Sequence, residues 1–208
     1  MACYKRGEIM GLFGQSKKEV FMQVASMIEG EFVKGSLFKG HKVISSYNNW
    51  DIVLDTYTQS TGNTSTKYTR MRATFLNTSD FKFRLYNNAI LSEIGKMLGL
   101  QDVIIGDTLF DQKYILKGND EQKLIEIFSN SKVKELMYEI DRLYLQVKDK
   151  DGKFSKYPHD TDILLFQFPK QIRDVEKLKN LFFLFYLLLE LFVITGIAVD
   201  ASPDIIAK

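Results

Sequence analysis

The stretch "LKNLFFLFYLLLELFVITGIAVD", residues 178–200, decides what kind of protein this is. It is either a membrane anchor or a helix that the rest of the chain buries. From Leu181 to Val199 there are 19 residues and one charge, Glu190, about the length that a bilayer core requires. The energies nearly cancel. Each Leu, Phe, Ile or Val contributes about −0.3 to −0.6 kcal/mol to insertion, and a carboxylate at mid-span costs about 2.5–3.5 kcal/mol. Tyr186, Thr195 and Gly196 erode the remainder. The flanking sequence tips the balance. "KQIRDVEKLKN", residues 170–180, sets Ile172, Val175 and Leu178 at helical spacing and leads into Phe182 and Phe185. An amphipathic helix running into an all-apolar one marks a chain entering its own interior. A buried core helix is the expectation. An anchored or interfacial tail over residues 178–199, inner-membrane associated, and a helix buried in a homodimer are the alternatives.

A buried helix needs an apolar surface to cover, and residues 42–87 supply one. Here the apolar period switches to two. "KVISSYNNWDIVLDTYT" implies a tight hairpin at Asn48-Asn49, residues that tolerate positive φ, and a second hairpin follows at Gly62-Asn63. That register pairs Trp50 with Phe75, Ile52 with Ala73 and Leu54 with Met71, all apolar and on one face. The other face pairs Asp55 with Arg70 and Tyr57 with Tyr68. A one-residue slip would scramble both faces. A turn at "LNTSD" then brings back "FKFRLY", with Phe81, Phe83 and Leu85 toward the core. The expected product is a four-stranded antiparallel meander with one solvated face.

Helices flank these strands. Ser16 and Glu19 form a capping box ahead of Val20, Phe21, Val24, Met27 and Ile28, so a helix is expected from about Lys17 to Glu29. "NAILSEIGKMLG" reads as a second helix, closed by Gly99. "QDVIIGDTLFDQKYILKG" gives two short strands. A helical segment follows with Asn119 as N-cap, broken in two by "SNS" at 129–131. "RLYLQVKDKDGKFSKY" reads as a hairpin turning at Asp151-Gly152, and "TDILLFQF" as an interior strand, apolar on both sides. The fold class is α+β: an antiparallel meander and a second β-hairpin segment packed against helices, with a long apolar C-terminal helix. Residues 1–9 read as an upstream extension before a second start at Met10, and residues 10–208 as a single domain, with a subdivision near residue 100 as the alternative.

Composition narrows the function classes. Among 208 residues, 28 Lys and Arg oppose 26 Asp and Glu, so no basic excess calls for nucleic acid. One cysteine, Cys3, excludes an internal disulfide framework, and two histidines, His41 and His159, lie far apart. No apolar run follows the basic N-terminal residues, so no secretory signal is expected. Phosphate-loop, dinucleotide and nucleophile-elbow motifs are absent from the sequence.

The polar face of the meander is the strongest candidate for a site. The register gathers Arg70, Arg72, Lys82 and Arg84 with Tyr57, Tyr68 and Tyr86. Guanidinium groups beside aromatic rings hold anionic groups and stack planar ones. The plain alternative is a lattice of cross-strand ion pairs, each contributing little. Asp102, Asp107 and Asp111 form a loose acidic series that a hydrolase or transferase could use, though their spacing fits no calcium loop. "PHDTD" sets His159, Asp160 and Asp162 close together, but adjacent turn positions diverge, and "DKDG" at 149–152 lacks the later ligands of a calcium loop. No catalytic residue, metal site or cofactor is expected.

The segment from Phe110-Asp111 through Tyr114-Ile115-Leu116-Lys117-Gly118-Asn119-Asp120-Glu121 into "KLIEIFSNSKVKELM", together with Trp50-Asp51 and "YTRMRATF", resembles a family of uncharacterised bacterial proteins, a domain of unknown function. The resemblance covers most of residues 11–170. It implies a bacterial, cytoplasmic protein and carries over no activity. The expected role is a non-catalytic binding module whose partner is a protein or a small anionic ligand.

Overall fold

A computed structural model describes residues 15–36, 40–88, 100–149 and 160–203. The expected extension at 1–9, the helix over "NAILSEIGKMLG", the turn at Asp151-Gly152 and His159 lie outside the described residues. Among the described residues fourteen elements follow in order: α1 (Lys17–Met27), β1 (Glu31–Val33), β2 (Lys42–Tyr47), β3 (Trp50–Thr61), β4 (Thr64–Leu76), β5 (Phe83–Asn87), β6 (Gln101–Val103), α2 (Thr108–Lys113), β7 (Tyr114–Gly118), α3 (Glu121–Phe128), α4 (Ser131–Tyr138), β8 (Tyr144–Lys148), β9 (Thr161–Phe168) and α5 (Val175–Ile194). The strands form one antiparallel sheet in the order β1-β2-β3-β4-β9-β8-β5-β7-β6. Strands from both halves of the chain share it. The class is α+β, as the periodicity predicts.

The hairpins follow the sequence register. Tyr47 pairs with Trp50 across a two-residue turn in which Asn48 has φ +50°. Ile52 faces Ala73, Leu54 faces Met71, Asp55 faces Arg70 and Tyr57 faces Tyr68, while Gly62 takes φ +58° in the turn. Trp50 and Phe75, just beyond that ladder, are both buried. Helix α1 carries the full capping box, with the Ser16 N–H donating to Glu19 at 2.7 Å and the Glu19 N–H donating to the Ser16 hydroxyl at 3.3 Å.

The meander ends one strand early. β5 does not return beside β4; β9 takes that place and β8 separates β9 from β5. Two causes are visible. Asn77 organises the turn from its own side chain: its Oδ1 accepts the N–H groups of Ser79 and Phe81, and its Nδ2 donates to the Phe81 carbonyl at 3.0 Å. The chain therefore leaves β4 in a broad loop rather than a tight reversal. The second cause is β9 itself. Ile163, Leu164, Leu165 and Phe166 are all fully buried, so this strand needs cover on both faces and a partner on both edges. The centre of the sheet satisfies that demand.

Two smaller corrections concern the helices. A short helix, α2, stands between β6 and β7, capped by Asp107, whose carboxylate accepts the N–H groups of Leu109 and Phe110. The cap of α3 is Asp120 rather than Asn119. Asn119 instead ties the β4–β5 loop, accepting from the Lys82 N–H at 2.8 Å and donating to the Asp80 carbonyl at 2.7 Å.

Helix α5 is the keystone of the core. It begins at the Asp174 cap and packs against α1, α3 and α4 over the sheet. Leu178, Leu181, Phe182, Leu184, Phe185, Leu188, Leu189 and Phe192 are buried. At about 2 kcal/mol for each side chain, their transfer from water contributes on the order of 15 kcal/mol, an upper bound. Glu190 avoids that interior. It accepts the Tyr47 hydroxyl at the β2 side, where the Tyr47 and Tyr186 rings stack at 4.3 Å and Tyr186 shares a 2.6 Å hydrogen bond with Ser45. The charge that made insertion ambiguous therefore has a partner in the fold. Among the described residues, no helix is long and apolar enough to cross a membrane. Gly196, at φ +66°, closes α5, and the chain returns to the end of β4, with the Val199 N–H donating to the Leu76 carbonyl at 3.2 Å.

The sheet has two unlike faces. Ile52, Leu54, Met71, Ala73, Leu164 and Phe166 join the helix-covered core, while their neighbours Val53, Leu165 and Ile163 are buried outside that cluster. The face expected to be solvated is buried at its centre. Arg72 is 0% exposed and Asp55 6%.

Candidate functional site

Cross-strand register lays this second face out in rows. One row reads Val53, Arg72, Leu165, Gln146, Arg84, Lys117 and Asp102. The next has Asp55, Arg70 and Gln167 on one side and Tyr144, Tyr86 and Ile115 on the other. The seven residues singled out from sequence thus fall into three groups rather than one.

The first group is an internal network on β3 and β4. Arg70 grips Asp55 with two hydrogen bonds, Nε to Oδ1 at 2.9 Å and Nη2 to Oδ2 at 2.8 Å. Arg72 donates to the same Oδ2 at 2.8 Å. The Arg70 guanidinium lies 4.8 Å from the Tyr57 ring centre, Tyr57 stacks on Tyr68 at 5.1 Å, and Gln167 donates to the Tyr57 hydroxyl at 2.6 Å. One carboxylate holding two guanidinium groups inside the fold is a structural arrangement, matched by charge-assisted geometry. These four side chains are occupied with one another.

Lys82 forms the second group, alone. Its ammonium reaches Asp162 at 2.5 Å and Asp80 at 3.5 Å. Asp162 pairs with Phe75 in register, whereas Arg70 pairs with Gln167, so the two cations stand about 17 Å apart along β9. Lys82 therefore stands away from Arg70, although it lies two residues before Arg84 in the chain.

Arg84 and Tyr86 make the third group. The β8–β9 pair separates them from Arg72 and Arg70 by three strand spacings, about 14 Å. Arg84 donates from Nη2 to Gln146 Oε1 at a long 3.3 Å, and its guanidinium lies 5.6 Å from the Tyr144 ring centre. Tyr144 donates to the same Gln146 oxygen at 3.2 Å. The Arg84 Nε is buried and has no hydrogen-bond partner. Directly opposite Arg84 stands a second cation, Lys117, whose ammonium is taken by Asp102 at 2.6 Å. Among the described residues no carboxylate is paired with Arg84. A half-buried guanidinium opposite another cation, with one buried N–H left without a partner, is an unfavourable arrangement that only Gln146 and the Tyr144 ring offset among the described residues. Burial pushes the Tyr144 phenol up, partly opposed by Arg84, so the ring stays neutral and can donate.

Beside this group is an open pocket of about 410 Å³, with Tyr86, Lys117, Ile115, Asp102 and Asp111 among its walls. That volume suits a small ligand. Two of the three acidic candidates therefore share a cavity, but each has structural employment. Asp102 pairs with Lys117, and Asp111 accepts the N–H groups of Ile105 at 3.1 Å and Gly106 at 3.0 Å. Asp107 caps α2 and takes Lys134 at 2.5 Å, contacts that hold its carboxyl below the usual range. No group of three metal-ligating side chains occurs among the described residues.

No family model, curated protein or solved structure matches this chain. The site is therefore read from its geometry alone. Sequence reading missed Gln146, Tyr144 and Lys117, because β7 and β8 were not known to flank β5. Their signal was present as the polar positions of two alternating segments, "YLQVK" and "YILKG".

Proposed function

We propose that this chain is a non-catalytic module that binds a small anionic ligand on the sheet face around Arg84. The observation that carries this reading is the Arg84 guanidinium, half-buried and, among the described residues, paired with no carboxylate. Gln146 and Tyr144 orient it, Tyr86 offers an aromatic wall, and the adjoining pocket gives a ligand room. The resemblance to uncharacterised bacterial proteins supports a bacterial origin and a cytoplasmic setting.

Thermal unfolding with pyrophosphate, a nucleotide monophosphate and anionic phospholipid vesicles tests this. A ligand at a hundredfold excess over its Kd adds about 2.7 kcal/mol, which raises Tm by roughly 5–10 °C for a chain of this size. The shift is expected with at least one of these anions in the wild type and is lost in Arg84→Gln. No shift in either form overturns the reading.

A further inference from the structure

On the helix-covered side, where β9 ends and α5 begins, lies a second pocket of about 200 Å³. Its walls are apolar: Ile140, Phe166, Phe168, Ile172 and Leu181. Protein interiors are close-packed and hold few voids larger than a water molecule. An apolar cavity of about 150 Å³ stays dry and takes up benzene. This one therefore accommodates an apolar body slightly larger than one aromatic ring.

Four charged residues also line it, and their partners determine what they can recognise. Lys177 is paired with Asp141 at 2.9 Å. Asp174 is turned to the helix, accepting the Lys177 N–H at 3.0 Å as the cap of α5. That leaves Arg173, an exposed side chain with no ion pair among the described residues. The lining carries two cations and two carboxylates, and Arg173 is the cation that no carboxylate holds among the described residues; with no excess of positive charge, a single negative charge is favoured over a dianion. A planar carboxylate matches its fork of donors.

We propose that this pocket binds a small monocarboxylate, its apolar body of about one ring seated against Phe166, Phe168 and Leu181 and its carboxylate on Arg173. The site is separate from the Arg84 face, since Phe166 belongs to the helix-covered core.

The probe is phenylacetate, with 2-phenylethanol as a neutral counterpart of the same body, followed through backbone amide shifts of the full chain. Phenylacetate is expected to perturb the amides of residues 166–181 at millimolar concentration. Arg173→Gln should weaken phenylacetate about threefold to tenfold and leave 2-phenylethanol unchanged. Ile172→Trp, which fills the cavity, should abolish both. Arg84→Gln should alter neither, which separates this site from the one proposed above. Absence of shifts at millimolar phenylacetate overturns the proposal. So does an affinity that survives both Arg173→Gln and Ile172→Trp, or one that Arg173→Gln leaves unchanged.

Discussion

Replacing Phe192 by alanine tests whether the apolar C-terminal helix is the core of this protein. Phe192 is fully buried and meets three rings of the sheet side, Phe75 at 5.2 Å, Phe81 at 5.8 Å and Phe83 at 6.4 Å between centres. Truncating a buried Phe costs about 3–5 kcal/mol, because transfer energy is lost and a cavity remains. The tilted and edge-on contacts put this site toward the upper end. For a chain of this length each kcal/mol is worth about 2–4 °C, so Tm should fall by roughly 10–15 °C. The control sits on the same helix. Phe183 is 42% exposed with one ring contact, Tyr186 at 5.9 Å, and Phe183→Ala should cost only about 1 kcal/mol. Urea unfolding followed by circular dichroism gives both values. If the two variants lose the same small amount, α5 does not close the core and the account of the fold fails. The same result follows if the wild type requires detergent to remain dispersed.

Two further outcomes are expected. Asp55→Asn should destabilise by about 3–5 kcal/mol, because two guanidinium groups, one of them wholly buried, lose the carboxylate they share; a loss under about 1 kcal/mol in urea unfolding would contradict the network. Tyr47 is pushed up to about 12, chiefly by its hydrogen bond to Glu190, with burial adding to it. Its folded value lies above its unfolded one, so its contribution to stability is complete below about pH 10 and is lost as pH rises toward 12. The difference in tyrosinate absorbance between wild type and Tyr47→Phe should therefore have its midpoint near the upper value, and a midpoint near 10 refutes the Glu190 contact.

The sequence by itself determined what depends on neighbours in the chain. The α1 capping box, the turns at Asn48 and Gly62, the Ile52–Ala73 register and the split at Asn130 all follow from local geometry, where side-chain spacing alone selects one face. It also implied that α5 would be buried, because an amphipathic lead-in to an apolar run needs an interior to enter. The tertiary structure alone decided which strands became neighbours. β9 pairs with β4 across at least 85 residues, the separation of Leu76 from Thr161, and no local signal encodes a pairing across such a separation. That insertion divided one apparent cluster of arginines and tyrosines into a network that shares the Asp55 carboxylate and an Arg84 guanidinium held, among the described residues, by Gln146 instead of a carboxylate. Periodicity assigns a residue to a face, whereas a site also requires adjacency between strands, and here adjacency was set by the need of one doubly apolar strand to lie at the centre of the sheet.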